Sequence, residues 1–420
     1  MKVAVIGSGG REHTIIKKLK ENNKITEIFA IPGNGGMEEA TLVPIPVTDI
    51  DKICSFAKEN KIEYVVVAPD DPLVAGMVDA LNQVGIPCFG PDKKAAIIEG
   101  SKVFSKDLMK KYGIHTAAYG VYNNINDALQ YIKTAPLPTV IKADGLALGK
   151  GVIIAETRQE AEDAVRSIME DKIFGASGNN IVIEEFLTGP EVSVLAFTDG
   201  KTLVPMVSAM DHKRAKDNDQ GLNTGGMGTI APNPYYTEDI AKICMDQIFI
   251  PTIRAMEKEG RIFKGCLFFG LMITENGPKV IEYNCRFGDP ETQVVLPLLE
   301  SDLFEIMQAC TNGTLDKCEV KFKNAAACCV VMASEGYPQK YQSGFKITVD
   351  SDIDATVIYA GAKRESDAIV TAGGRVLGVS AVADNLKAAI SKAYKETEKV
   401  HFENAYKRND IGAKALKALN

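Results

Sequence analysis

Over residues 1–100, short runs of almost unbroken apolar residues alternate with stretches in which apolar positions recur at helical spacing. The runs are KVAVIG (2–7), EIFAI (27–31), YVVVAP (64–69) and IPCFG (86–90), and the helical stretches fall at 11–21, 49–59 and 71–84. Strands that are apolar on both faces must be covered on both. The alternation therefore predicts a parallel α/β sheet with helices on each side. In such sheets ligands bind beyond the carboxyl ends of the strands. Those ends carry GSGGREH (7–13), PGNGG (32–36) and APDDP (68–72).

The pattern changes at Ser101. SKVFSKDLMKKYG predicts an amphipathic helix capped by Ser101 and ended by Gly113, with Lys102, Lys106 and Lys110 four apart on one face. A lysine stripe of this kind is ordinarily a solvated face, and at least two of the three are expected to be so. PTVIKADGLALGKGVII (138–154) predicts a strand holding Lys142, a glycine-rich turn and a return strand: a flap with Gly149, Lys150 and Gly151 at its tip. Such a tip lets backbone amides close over phosphates without side-chain clash. It is not a Walker A loop, because G-x-x-x-x-G-K-[ST] is absent and no helix follows at once.

Residues 179–207 predict three strands with an Asp199-Gly200 turn, the first ending in the acids of EEF. Residues 211–234 form a polar, glycine-rich stretch too long for a simple connector, followed by a helical segment at 238–258. CLFFGLMITENGPKVIEYN then predicts a hairpin. Beyond 325, AAACCVVMAS, ATVIYAGA and GRVLGVSAVA predict short apolar strands, with a helical tail from about 385. No low-complexity linker and no internal repeat is evident. Three domains are expected, at 1–100, 101–325 and 326–420, packed against one another.

The return strand of that hairpin runs into VIEYNCRFGDPETQ. Side chains alternate across a strand, so Glu282 and Asn284 project from one face. A carboxylate beside an amide oxygen suits a hard cation that bridges phosphate oxygens; ordinary polar decoration of a strand end is the alternative. GSGGREH invites comparison with the dinucleotide fingerprint, but the third glycine position is Glu12, which opposes close helix–strand packing and disfavours nicotinamide binding. Gly7, Gly9 and Gly10 still permit backbone N–H groups to approach a single phosphate, unless the turn merely joins strand to helix.

Composition narrows the class further. The net charge of -7, from 48 basic and 55 acidic residues, argues against a nucleic-acid protein. No apolar run approaches the ~20 residues needed to span a bilayer. The opening MKVAVIGSGG enters a strand directly and leaves no room for a cleavable signal. Nine cysteines without a CxxC pair read as reduced thiols packed as small apolar groups, and a cytoplasmic protein is expected. No Ser-His-Asp or Cys-His arrangement offers a protein nucleophile.

A lysine-bearing helix, a Lys142 strand with a glycine flap, an acidic strand end and a carboxylate–amide strand end, in that order, resemble the ATP-grasp fold. GSGGREH, KADGLALGKGV, DHKR, NTGGMG and NCRFGDPETQ, joined by GGRVLGV (373–379) and DIG (410–412), resemble the phosphoribosylamine–glycine ligase family along essentially the whole chain. The resemblance implies a Rossmann-like N-terminal domain, an ATP-grasp domain with a mobile lid at about 120–190, and a small β-rich C-terminal domain. It implies ligation of glycine to 5-phosphoribosylamine at the expense of ATP, through glycyl phosphate, with Mg2+ or Mn2+. Lys102 and Lys142 would hold ATP phosphates under Gly149, Lys150 and Gly151. Glu184, Glu185, Phe186 and Leu187 would form the adenine edge by backbone contacts, with Glu191 near the ribose. Glu282 and Asn284 would bind the metal. Lys213, Arg286 and Asp289 would be catalytic. Arg214, Asn223, Thr224, Gly225 and Gly226 would line the glycine side, and Gly9, Gly10, Arg11 and Glu12 would face phosphoribosylamine.

Two departures stand out. Ala68-Pro69-Asp70 replaces a usual Gly-Pro-Glu, and Gly270-Leu271-Met272 lies where many ATP-grasp enzymes carry another metal-binding acid. The rivals are a later purine-pathway carboxylase or ligase on the same fold, a non-catalytic nucleotide sensor and a nicotinamide oxidoreductase. DHKR with NTGGMG, the intact Lys142, Glu282, Asn284 and Arg286, and Glu12 count against them in turn.

Overall fold

The computed structural model describes residues 1–146 and 151–419. Lys2–Gly7, Glu27–Pro32, Thr41–Leu42, Tyr64–Val67 and Cys88–Phe89 form one parallel sheet, in the spatial order third, second, first, fourth, fifth. Alternate residues of the same strand feed different cores. Ala4, Ile6, Val65 and Val67 pack with Ile53, Met77 and Leu81 on one face, while Val3, Val5, Tyr64 and Val66 pack with Ile15, Ile16 and Leu19 on the other. The strand order reverses between Lys2–Gly7 and Tyr64–Val67, which opens a crevice at their carboxyl ends. The helical stretch at 71–84 is two helices, Asp70–Ala75 and Met77–Gln83, because Gly76 takes φ +104° between them.

Ser101 caps the helix Lys102–Tyr112 by accepting from Phe104 N–H at 3.1 Å, and Gly113 ends it at φ +69°. The chain then builds a separate four-stranded antiparallel sheet, ordered Tyr119–Tyr122, Ile181–Glu185, Thr139–Ala143, Val152–Ala155. Helices Ile125–Ile132 and Arg158–Met169 cover it. Its core of Ala128, Ile132, Ile141, Val165, Ile168 and Ile183 is its own. Leu203–Pro205, Glu191–Thr198, Gly265–Thr274 and Gly277–Asn284 form a second four-stranded antiparallel sheet in that order.

The polar stretch at 211–234 is more ordered than a loop. Arg214–Lys216 and Gln220–Asn223 pair as an antiparallel ribbon. Met210–Asp211 and Gly228–Ala231 join Ala326–Ser334, Arg375–Ala383 and Thr356–Tyr359 in the C-terminal sheet. Central and C-terminal segments thus share one sheet, with helix Leu386–Thr397 against it. All nine cysteines are free, eight of them buried. No helix among the described residues is long and apolar enough to cross a membrane.

Candidate active site

At the end of the Gly277–Asn284 strand, Tyr283 turns into the core and bonds Thr252 Oγ1 at 2.9 Å, leaving Glu282 and Asn284 on the cleft side. Glu282 pairs across the hairpin with Gly270, where an added Cβ would come within 3.0 Å of the Glu282 side chain. The absent second acid is therefore a bare position that lets Glu282 lie close. Glu99, at the end of helix Lys93–Gly100, organises the rest. It accepts from Asn284 Nδ2 at 2.9 Å and Cys285 N–H at 2.7 Å, and pairs with Arg286 Nη2 at 3.0 Å. Burial raises the Glu99 pKa, and Arg286 opposes that rise.

With Nδ2 fixed, Asn284 Oδ1 is left without a donor among the described residues. Burial pushes the Glu282 carboxyl up, but Lys213, Lys142, Lys102 and Arg286 outweigh it and hold the group below its ordinary value, ionised. Lys213 Nζ lies 3.1 Å from Glu191 Oε2 and 3.9 Å from Glu282 Oε1. Among the described residues no set of three or more His, Cys, Asp or Glu is grouped to hold a metal alone. One carboxylate and one amide oxygen do fit a hard cation whose shell is completed by phosphate oxygens and water, as Mg2+ and Mn2+ prefer.

Across the cleft, Glu184 is the hub. Its Oε2 lies 3.0 Å from Lys106 Nζ and 3.1 Å from Lys142 Nζ; Lys106 also donates to Thr116 Oγ1 at 2.7 Å and Lys142 to the Ile281 carbonyl at 3.1 Å. Glu184 Oε1 is buried without a partner among the described residues. This corrects the expectation for the lysine stripe: only Lys110 is exposed, Lys106 is buried, and half-buried Lys102 donates to the Gly145 carbonyl at 2.8 Å. The reason is tertiary, since the Glu184 carboxylate comes from the neighbouring sheet. Burial brings Lys106 down to about 8 against the opposing pull of Glu184. Gly149 and Lys150 lie outside the described residues, and Gly151 is buried, its carbonyl accepting from Ala143 N–H at 2.9 Å. Glu185 accepts from Ala118 N–H and Lys279, Phe186 is exposed, and Leu187 is half-buried.

The third face is a junction. Arg286 and Arg11 both donate to the Phe287 carbonyl, at 3.3 and 3.1 Å, so two guanidinium groups from distant segments converge. Arg286 Nε is buried with no acceptor among the described residues. Arg11 Nε pairs with Glu12 Oε1 at 2.6 Å, while Glu12 Oε2 takes the Gly9 N–H at 2.7 Å. Gly9 and Gly10 also permit close approach between segments: a Cβ would stand 3.3 Å from Asp289 Oδ2 at Gly9 and 2.7 Å from Gln293 Nε2 at Gly10. Asp289 accepts from Gln293 Nε2 at 2.8 Å and pairs with Arg375 Nη2 at 3.3 Å. Burial raises its pKa, Arg375 and Arg11 lower it, and the net shift is downward.

The NTGGMG segment closes this face. Thr224 N–H donates to the Lys213 carbonyl at 2.8 Å, Asn223 pairs with Arg214 in the ribbon, and Arg214 donates to the Gly221 carbonyl at 2.9 Å. Gly226 sits at φ +116° with Pro290 and Asp211 packed where a Cβ would be, so only glycine fits. His212, beside Lys213, accepts from Gly412 N–H at 3.0 Å and bonds the Gly228 carbonyl at 3.1 Å, which ties DHKR to the DIG motif.

Sequence reasoning assigned no role to Glu99, Gln293 or Arg375. Glu99 had a signal, an acid ending the apolar run AAIIEG, and Arg375 lay in the quoted GGRVLGV. Of the expected residues, Glu282, Asn284, Lys213, Glu191, Lys142 and Lys102 gather toward one side and Arg286, Asp289, Arg11 and Gly225–Gly226 toward the other, whereas the Arg214 side chain turns back to Gly221 of its own ribbon.

Comparison with known proteins finds similarity along nearly the whole chain. Residues 1–99, 100–292 and 327–414 match the N, ATP-grasp and C domains of phosphoribosylglycinamide synthetase. A phosphoribosylamine–glycine ligase of Caldanaerobacter subterraneus is 45% identical over 415 residues, 98% of this chain and 100% of that protein. The crystal structure of phosphoribosylamine–glycine ligase from Thermotoga maritima superposes with a TM-score of 0.86 at 33% identity, covering 98% of this chain and 100% of that one. The biotin carboxylase domain of Hydrogenobacter thermophilus 2-oxoglutarate carboxylase, solved with MgADP and bicarbonate, shares the fold at 16% identity with a TM-score of 0.76, covering 100% of this chain and 94% of that one.

Proposed function

Because the chain belongs to the phosphoribosylglycinamide synthetase family and is an ATP-dependent ligase of glycine in purine biosynthesis, we propose that it joins glycine to 5-phosphoribosylamine through glycyl phosphate. A carboxylate is a poor electrophile. In the first step a glycine carboxylate oxygen attacks the γ-phosphorus of ATP, the bond to the ADP oxygen breaks, and glycyl phosphate forms. In the second the amine of phosphoribosylamine attacks the carbonyl carbon, phosphate leaves with the C–O bond electrons, and the amine gives up a proton. No protein nucleophile takes part. The chain's contribution is placement and charge.

Lys142 and Lys102 face the nucleotide phosphates. Buried, unpartnered Glu184 Oε1 offers an acceptor to the amino edge of adenine. Glu282 and Asn284 would hold Mg2+ or Mn2+, which when bound supplies neutralisation of the phosphate oxygens. Arg286, with a donor to spare, steadies the transferring phosphoryl group. Lys213 and the Thr224–Gly226 backbone orient glycine, with Asp289 beside its ammonium. Arg11, held by Glu12 and the Phe287 carbonyl, faces the phosphate of phosphoribosylamine at the mouth of the N-terminal crevice. We place the protein in the cytoplasm, working on small molecules and on neither nucleic acid nor membrane.

The observation that carries this reading is the convergence of Glu282, Asn284, Lys213 and Arg286 at the end of one hairpin strand, facing the Lys142–Glu184 pair. The test is ADP release by the purified protein with phosphoribosylamine generated in situ. Release that requires both glycine and phosphoribosylamine is expected. Release that ignores glycine, or that requires bicarbonate in its place, would point to the carboxylase reading.

A further inference from the structure

Arg375 reaches the cleft from outside the ATP-grasp segment. It opens the strand Arg375–Ala383 of the C-terminal sheet. Its Nη1 donates to the Gly225 carbonyl at 2.8 Å and to the Asp289 carbonyl at 3.1 Å, while Nη2 lies 3.3 Å from Asp289 Oδ2. A Cβ on Gly225 would stand 2.9 Å from the guanidinium carbon, so the bare glycine lets the planar group lie against that backbone. The hydroxyl of Tyr337, also C-terminal, accepts from Gly225 N–H at 3.2 Å. The glycine-rich segment and the Asp289 turn enter the cleft from different directions, and a group that belongs to neither joins them. Several acceptors met by one rigid fork is a task for arginine that a lysine ammonium cannot reproduce.

We propose that Arg375 is a positioning residue for glycine: it holds the Gly225–Gly226 backbone and the Asp289 carboxylate in the relative placement that seats glycine beside the transferring phosphate. This rests on the reading that those two elements face glycine. Among the described residues, the side-chain hydrogen-bond and ion-pair partners of Arg375 lie on the glycine-rich segment and at Asp289, none of them on the lysines or Glu184 of the nucleotide side. Its removal therefore separates the two substrates. A residue that merely supported the fold would weaken both.

The test uses the intact enzyme. Arg375→Ala is expected to raise KM for glycine by roughly tenfold to a hundredfold, the scale of lost charge-assisted hydrogen bonds, with the dissociation constant of ATP–Mg2+ unchanged. Arg375→Lys should not restore glycine KM, whereas free guanidinium ion should partly restore Arg375→Ala. Gly225→Ala should harm the parent enzyme but add little to Arg375→Ala, because the atom its Cβ would strike is gone. An unchanged glycine KM, a parallel loss of nucleotide affinity, or additive effects in the Gly225 and Arg375 cycle would overturn the proposal. Should Arg375→Ala fail to fold, Arg375→Lys carries the same comparison of glycine KM with nucleotide affinity. Failure of the unsubstituted enzyme to release ADP in response to glycine would overturn the functional reading beneath it, which keeps the two failures apart.

Discussion

The lid and the junction are built on opposite principles. The lid strands and helices, Tyr119 to Glu185, enclose a core drawn from their own residues. They meet the rest of the cleft through polar links: Lys102 to Gly145, Ser101 to Asp144, Tyr119 to Asp107, Lys142 to Ile281 and Lys279 to Glu185. At the junction, by contrast, one continuous apolar core runs from Val3 and Ile15 through Leu195, Phe197 and Phe287 to Ala327 and Cys329. Under the proposed function, polar links of this kind would let the lid open for nucleotide, whereas a shared, close-packed core would hold the amine side fixed. The contrast predicts a division of labour: a hinged half for ATP and a rigid half for the small substrates.

The largest effect that would break or sharpen this contrast lies where the halves meet. Glu282→Gln keeps shape and removes the charge, and turnover should fall about a hundredfold or more while the unfolding midpoint barely moves. Normal turnover at ordinary magnesium would refute the metal assignment. On the junction side, Arg11→Ala should raise KM for phosphoribosylamine roughly tenfold to a hundredfold and leave KM for ATP and glycine nearly unchanged. Equal changes in all three constants would mean that Arg11 acts through packing with Glu12 and Phe287.

Hydrogen exchange addresses the contrast itself. Nucleotide with magnesium should slow exchange across the described lid strands by on the order of tenfold and leave the Val3–Ile6 and Ala327–Val330 strands as protected as before. Uniform slowing, or none, would erase the distinction. The most local effect is one of acidity. Burial and the Arg408 charge push His212 from 6.5 down to about 4. The unfolded chain therefore takes up this proton first as pH falls, and the junction loses stability between pH 6.5 and 4 by up to roughly 1.4 kcal/mol per unit, with no further loss from this group below that window. Denaturant titrations of the parent and of His212→Gln should differ in slope there, and identical slopes would show that His212 titrates normally.

What could be read from the sequence followed the range of the forces involved. Four of the five strands of the first sheet, the Ser101 cap, the two strands flanking the glycine-rich turn and the Glu282–Asn284 face are fixed by local periodicity and turn chemistry and lie at the expected positions, whereas the two-residue strand Thr41–Leu42 was too short to show a pattern. Lys106 defied its helical pattern because Glu184, from another sheet, neutralises it. The ribbon at 214–223 and the strands at 210–211 and 228–231 were hidden because their partners, one another and Ala326–Ser334, outweigh their polar, glycine-rich composition. Glu99 and Arg375 act on residues far along the chain, which no local pattern encodes. The glycines of GSGGREH were legible as a place of close approach; their neighbours Asp289 and Gln293 were not.

The central claim is that the two halves of the cleft meet at the carboxylate of glycine. Turnover with glycine labelled by 18O in its carboxylate tests this most directly. Transfer of one labelled oxygen into the released inorganic phosphate is the predicted result, because the oxygen that attacks phosphorus leaves with it. Phosphate free of label, with glycine still incorporated, would contradict the account.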